Sequence, residues 1–167
     1  LFGDGFSLAP QRDTQLIEIL LNTLEQRGEY DNAIALLFHL PKSPLYLEQT
    51  GYFYKLKGDH RVALDYYCSA IDTLEEQTQD KPEAFQKTAR NWHGQLLLER
   101  GRIFDALGLY AEAEADFSEA QTLIPHDPMI PFMRGLMFFL GGDLDRAVVL
   151  CRESMHPDVK DVWRCEM

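Results

Sequence analysis

The sequence predicts an all-α protein built as a stack of about four helix–turn–helix units. Three observations support this: a motif of glycine, aromatic and alanine residues recurs along the chain, good helix formers fill the segments between its turns, and 46% of the 167 residues are hydrophobic. Charged residues make up a further 26%. A chain of this size and composition can bury one core and leaves little room for a second domain.

The recurring motif places small and aromatic residues at fixed intervals. A Gly is followed by an aromatic residue three positions later, a second Gly seven positions later and an Ala twelve positions later. The most regular copy is Gly101, Phe104, Gly108, Ala113, Phe117, Ala120 and Pro125. The other copies are Gly51, Tyr54, Gly58, Ala63, Tyr67 and Ala70; Gly135, Phe138, Gly142, Ala147, Cys151 and Ser154; and a degenerate first copy, Leu21, Leu24, Gly28, Ala33 and Leu37.

This spacing has a physical reason. The first Gly and the positions three and seven residues later lie on one helical face, and the second Gly ends that helix in a left-handed cap. Small residues at the first Gly and at the Ala let two antiparallel helices approach closely, while the aromatic side chains fill the remaining space. One unit cannot bury both apolar stripes alone, so the units are expected to stack.

In chain order, we expect an N-terminal extension at residues 1–13, units at 14–43, 44–79, 82–127 and 128–158, and a C-terminal cap at 159–167. The first unit is short because Pro41 and Pro44 end its second helix early. The four turn glycines, Gly28, Gly58, Gly108 and Gly142, are separated by 30, 50 and 34 residues, so the second interval is the long one. Helix formers in residues 74–92 therefore predict two lengthened helices, about 60–79 and 82–107, that project beyond the body of the stack.

The fourth unit opens with a segment that is apolar almost all round, residues 129–140. Such a helix must be covered on both sides or offer a binding surface. The first reading is that residues 159–165, which include Trp163, fold back as a capping helix. The second is that Met and Phe side chains of this helix receive an apolar partner segment.

The charge of the chain disfavours several classes of partner, and its cysteines bear on its location. There are 27 Asp and Glu residues against 16 Lys and Arg, a net charge of −11, which repels nucleic acid and anionic membrane surfaces. No apolar run is long enough for membrane insertion. Cys68, Cys151 and Cys165 are odd in number and form no C-x-x-C motif, which favours reduced thiols and a cytoplasmic location.

Signatures of catalysis are absent from the sequence. It contains no phosphate-binding glycine loop, no nucleophile-elbow motif, no H-E-x-x-H and no calcium loop. The five histidines are scattered and lack the spacing of a helical metal pair. We therefore expect no catalytic residue, no metal and no cofactor, and a protein that is not an enzyme.

The motif residues above resemble the tetratricopeptide repeat family over roughly residues 14–155. Leu47 and Leu97 stand where the family usually has a large apolar side chain, and Pro125 stands where the family often ends its second helix. The resemblance implies a right-handed superhelical solenoid of about four repeats. It also implies a concave groove, lined by the first helix of each unit, in which a partner protein or peptide binds.

Transferring the family's groove positions gives the candidate binding residues. They are Glu18, Asn22, Glu48, Tyr52, Lys55, Leu98, Arg102, Asp105, Met129, Phe132, Leu136 and Phe139, flanked by Gln15, Glu25, Leu45 and Gln95. The groove should change from polar in the first unit to apolar in the fourth. Family members that bind acidic chaperone tails use a cationic clamp, and Glu18, Glu48 and Asp105 disfavour that ligand here.

The leading hypothesis is a non-catalytic interaction module that binds a peptide or helix in this groove. One alternative is a small chaperone for a hydrophobic client, which resembles the tetratricopeptide chaperones of type III secretion. Another is an architectural fragment of a longer assembly protein, favoured by the first residue being Leu rather than Met and by the apolar last unit. A homodimer formed through that unit is a further expectation.

Overall fold

The computed structural model describes the backbone of residues 11–155 and the side chains of residues 14–155. Over this range the regular structure is entirely α-helical, which confirms the predicted fold class. The eight described helices are α1 (Gln11–Gln26), α2 (Tyr30–Phe38), α3 (Pro44–Lys57), α4 (His60–Thr78), α5 (Glu83–Ala106), α6 (Tyr110–Leu123), α7 (Met129–Leu140) and α8 (Leu144–Ser154).

The helices form four hairpins that pack in chain order. Within each hairpin, α1 contacts α2, α3 contacts α4, α5 contacts α6 and α7 contacts α8. Between hairpins, the second helix of each contacts the first helix of the next, and α5 also contacts α7. The result is a linear stack in which each hairpin contacts its neighbours. The exact unit boundaries and the right-handed superhelix stay predictions.

Each hairpin turns at a glycine with left-handed backbone geometry. The φ angles of Gly28, Gly58, Gly108 and Gly142 are 69°, 85°, 75° and 86°. Residues with a Cβ atom rarely adopt this backbone conformation, which is why glycine occupies these positions. The turn predicted for the second glycine of the motif is confirmed in all four copies.

The connection between α2 and α3 follows the predicted proline boundary. Helix α2 ends at Phe38, and α3 begins at Pro44, a first-turn position where a missing N–H costs nothing. The Ser43 hydroxyl accepts a hydrogen bond of 3.4 Å from the N–H of Tyr46 and so caps α3. The short first unit thus has a local cause.

The two lengthened helices are also confirmed. Helix α4 spans His60–Thr78 and α5 spans Glu83–Ala106, each within one residue of the predicted ends. Leu74 is buried near the end of α4, and Trp92 packs against the same core from α5. Leu74 and Trp92 therefore join the base of the extra turns to the body of the stack, while residues 75–77 and 82–84 beyond them are exposed.

Two groups of buried side chains hold the stack together. The larger runs from α4 to α7 and includes Tyr67, Leu97 and Phe117. The smaller joins α1, α2 and α3 and includes Ala33 and Phe53. The alanines and aromatic residues of the motif that lie in these groups, Ala33, Ala63, Tyr67, Ala113 and Phe117, are thus core residues, as their spacing predicts.

Some predictions fall outside the described residues. The cap at 159–167, with Trp163 and Cys165, and residues 1–10 of the predicted extension lie there. Helix α1 begins at Gln11, three residues before the predicted start of the first unit. None of the described helices is long and apolar enough to cross a membrane.

Candidate partner-binding groove

The candidate groove residues lie on α1, α3, α5 and α7, the first helices of the four hairpins. Between α1 and α3 there is a cavity of about 240 Å³. Its lining has an apolar and a polar part and consists of Thr14, Ile17, Glu18, Leu21, Asn22, Leu45, Tyr46 and Gln49. The structure therefore brings Glu18, Asn22 and Leu45 together at one site.

Farther along, polar side chains from three helices form a connected network. The Tyr52 hydroxyl donates a hydrogen bond of 2.6 Å to a carboxylate oxygen of Glu25. The Lys55 ammonium lies 5.1 Å from the centroid of the Tyr52 ring and 2.5 Å from Glu99 Oε2. Arg102 lies 2.7 Å from the other oxygen of Glu99. One carboxylate therefore bridges both cations of the predicted groove.

This network leaves little positive charge for a ligand. Charge-assisted hydrogen bonds to a carboxylate are strong, and Lys55 and Arg102 already share one. The hydrogen bond to Glu25 and burial raise the pKa of Tyr52 to about 12, so its hydroxyl remains a donor. The polar half of the groove is thus occupied by its own contacts, which connect α1, α3 and α5.

Two further groove carboxylates sit in partly desolvated positions. Glu48 accepts a hydrogen bond of 2.7 Å from Trp92 Nε1, and burial raises the pKa of its carboxyl group above the usual value. Burial also raises the pKa of Asp105. Among the described residues, the Asp105 carboxylate has no hydrogen bond or ion pair.

The apolar end of the groove is open to solvent. Met129, Phe132, Leu136 and Phe139 are between 37% and 57% exposed and are spaced three or four residues apart along α7. The opposite face of α7 buries Ile130 and Met137 in the larger core. Leu98, by contrast, is 4% exposed, because it belongs to the same core and not to the open surface.

Sequence reasoning missed two residues that organise this surface. Glu99 joins Lys55 and Arg102, and Trp92 binds Glu48. Both partners are 44 residues away from Lys55 and Glu48 in sequence, so no local pattern indicates the pairs. Two signals for Glu99 were available: it directly follows the leucine run at residues 96–98, and it lies three residues before Arg102 on the same helix.

A second, larger cleft lies between the lengthened helices α4 and α5. Its volume is about 700 Å³ and its lining is mostly polar, with Glu75, Arg90 and His93 among the residues. Glu75 lies 3.7 Å from His93 Nε2. No group of three His, Cys, Asp or Glu side chains arranged to hold a metal occurs in the described part of the chain.

Comparison with known proteins identifies one repeat and the fold. The tetratricopeptide repeat family matches residues 94–127. The crystal structure of MamA is similar with a TM-score of 0.66 and 16% identity, covering 89% of this chain and 80% of that one. BtubC (BKLC) from P. vanneervenii is similar with a TM-score of 0.69 and 17% identity, covering 90% and 68%.

At these identities the two structures show likeness of fold alone, and no curated protein matches the sequence. The matched segment contains the most regular copy of the motif, from Gly101 to Pro125. The resemblance drawn from the sequence is therefore confirmed over residues 94–127, which match the tetratricopeptide repeat family, within a described region that is all-helical and similar in fold to MamA and BtubC.

Proposed function

We propose that this chain is a non-catalytic interaction module that binds an apolar peptide segment or helix along α7 and the adjoining part of α5. Tetratricopeptide repeats act in general as scaffolds for binding other proteins, and the repeat at 94–127 supports that role here. The observation that carries the proposal is the open stripe formed by Met129, Phe132, Leu136 and Phe139.

The stripe has the form of a helix-binding or peptide-binding surface. Its side chains share one face of α7, so they can receive apolar side chains spaced three or four residues apart. Met and Phe also repack readily around different partners. The polar half of the groove, in contrast, is already paired through Glu99. We therefore place the main energy of binding on α7.

An unpaired carboxylate on α5 supports a preference in charge. Asp105 lies on α5, which contacts α7, and its carboxylate has no partner among the described residues. The chain as a whole carries a net charge of −11. A segment with an apolar face and a basic residue beside it would meet both features, because opposite charges at an interface favour association and orientation.

The proposal can be tested with a displayed library of short peptides selected on the purified full chain. Selected sequences should carry apolar residues at helical spacing with Lys or Arg at one edge. Fluorescence anisotropy should then show that Phe132→Glu weakens binding at least tenfold, because it buries a charge in the apolar contact. Asp105→Asn should weaken it less, and chiefly at low salt.

Tyr110→Glu is the matched control, since Tyr110 is a large exposed side chain near the start of α6. Circular dichroism should show that all three variants keep the helix content of the wild type. Selected peptides that bind Phe132→Glu as tightly as the wild type would contradict the proposal.

A chaperone for hydrophobic clients would use the same stripe with different selectivity. It should slow aggregation of several unrelated unfolded proteins, and Phe132→Glu should abolish that effect. An interaction module should instead select one consensus sequence. The architectural alternative is supported by a different surface, described next.

A further inference from the structure

Neighbouring hairpins of this chain are joined by an interface that recurs three times. In each case the second helix of one hairpin contacts the first helix of the next, as α2 with α3, α4 with α5 and α6 with α7. On the first helices the same position is buried each time, five residues before the first Gly of the motif. It is occupied by Tyr46, Leu96 and Ile130.

The equivalent position on α1 is open. It is Leu16, which is 59% exposed, and Ile19 and Leu20 beside it are also exposed. In α3 the corresponding residue, Tyr46, belongs to the same buried group as Ile34 of the preceding hairpin. Leu16 therefore presents the apolar half of an inter-hairpin interface with no preceding hairpin among the described residues.

The second helices show the complementary pattern. The residue after the motif Ala faces the following hairpin: Ile34 lies in the buried group with Tyr46, and Leu64 packs against the group that contains Leu96. In α6 this residue is Glu114, which forms an ion pair with Arg134 of α7. The equivalent in α8 is Val148, which is 49% exposed, with Leu144 and Met155 exposed nearby.

We propose that the two ends bind each other between copies of this chain, so that α1 of one copy packs on α8 of another. The occupant is a second copy because the interface would continue the one that the chain already makes three times internally. In this contact Leu16 takes the place that Tyr46 has in the internal interface, and Val148 takes the place of Ile34. The contact is head to tail and joins two different surfaces, so it does not stop at two copies.

This arrangement differs from a symmetric homodimer through the fourth unit. A symmetric dimer pairs a surface with itself and stops at two copies, whereas a head-to-tail contact leaves one free end on each side. The contact is apolar and each copy carries a net charge of −11, so added salt should strengthen association by screening repulsion.

The test is analytical ultracentrifugation of the full chain over a range of concentrations. The wild type should show a mass that rises progressively with concentration beyond that of a dimer. Leu16→Glu blocks the α1 end and Val148→Glu blocks the α8 end, and each variant alone should associate at least tenfold more weakly. Both side chains are exposed in the single copy, so circular dichroism should remain unchanged.

Mixing the two variants gives the decisive result. Leu16→Glu retains a functional α8 end and Val148→Glu a functional α1 end, so an equimolar mixture should form dimers and nothing larger. Phe132→Glu, which alters the peptide-binding stripe, should associate like the wild type, so this inference and the proposed function can fail separately.

Three outcomes would overturn the inference. The first is a wild type that remains monomeric up to roughly 1 mM, which corresponds to less than about 4 kcal/mol of binding free energy. That result would favour the predicted cap at 159–167 as the cover for α8. The others are a mixture that stays monomeric and single variants that dimerise as well as the wild type.

Discussion

Single carboxylates determine how the polar part of the groove is held. Glu99 binds Lys55 and Arg102 together, and Glu48 accepts the indole N–H of Trp92. Removing Glu99 would leave two half-buried cations without their partner, a costly change because an unpaired charge is poorly solvated there. These residues link α3 to α5 through side-chain hydrogen bonds, whether or not a ligand is bound.

The environment of Glu48 gives a prediction on pH. Burial raises the pKa of Glu48 in the folded state, so the folded chain holds this proton more tightly than the unfolded chain does. Its contribution to the free energy of unfolding therefore falls as the pH rises through the interval between the unfolded and folded pKa values. Glu48→Gln should be more stable than the wild type at neutral pH.

Urea denaturation at several pH values checks this. The difference between Glu48→Gln and the wild type should disappear below about pH 4, where the carboxyl group is protonated in both states. Glu76→Gln changes an exposed carboxylate on α4 and should have little effect at any pH. A Glu48→Gln variant that is less stable than the wild type at neutral pH would show that the ionised form is favoured instead.

The first Gly of the motif lies directly against an aromatic ring of the second helix in two of the hairpins. A Cβ atom at Gly101 would lie 2.6 Å from Cε1 of Phe117, and one at Gly51 would lie 2.9 Å from Cδ2 of Tyr67. Both rings are almost completely buried, so neither can move aside easily. The glycine is required for space, within a helix where alanine would otherwise be favoured.

Gly101→Ala should therefore destabilise the chain. Overpacking costs about 1–3 kcal/mol, and the better helix propensity of Ala returns up to about 1 kcal/mol, so we expect a net loss of roughly 1–2 kcal/mol. Chemical denaturation measures it. Adding Phe117→Leu should make the double variant more stable than the sum of the two single changes predicts. Strict additivity would show that the Phe117 ring is not the source of the strain.

The elements themselves could be predicted well because their signals are local. Glycine punctuates the four turns, and Pro44 marks the start of α3. The lengthened α4 and α5 follow from helix formers in an interval that is too long for one unit. The site was harder, since Leu96, Leu97 and Leu98 are consecutive and all buried, and the groove positions transferred from the family included Leu98. Contacts such as Lys55 with Glu99 depend on how three helices meet.

At the scale of the molecule, the core formed by residues 14–155 is divided between two groups of buried side chains. The group around Phe53 involves α1 to α3, and the group around Phe117 involves α4 to α7. In a stack whose hairpins contact only their neighbours, stability is approximately a sum of local terms and neighbour interfaces. The first hairpin can therefore open at a lower free energy than the middle of the chain.

Ile34→Ala tests this division. It removes a buried side chain from the smaller group and should cost about 2–4 kcal/mol in that part of the chain. In a Trp163→Phe background, Trp92 fluorescence reports on α5. The circular dichroism transition should begin at lower urea concentration, while the Trp92 transition should hardly move. Ile103→Ala should shift the Trp92 transition, and equal shifts of both signals in Ile34→Ala would indicate one cooperative unit.

The position of the apolar stripe within the stack has a consequence for avidity. The stripe lies on α7 of the last described hairpin, so every copy in a head-to-tail assembly would contribute one stripe at a constant interval. A partner that carries several apolar segments would then bind the second and third stripes at a high effective concentration. Weak single contacts along α7 would add up to tight binding, and the length of the assembly would set how tight.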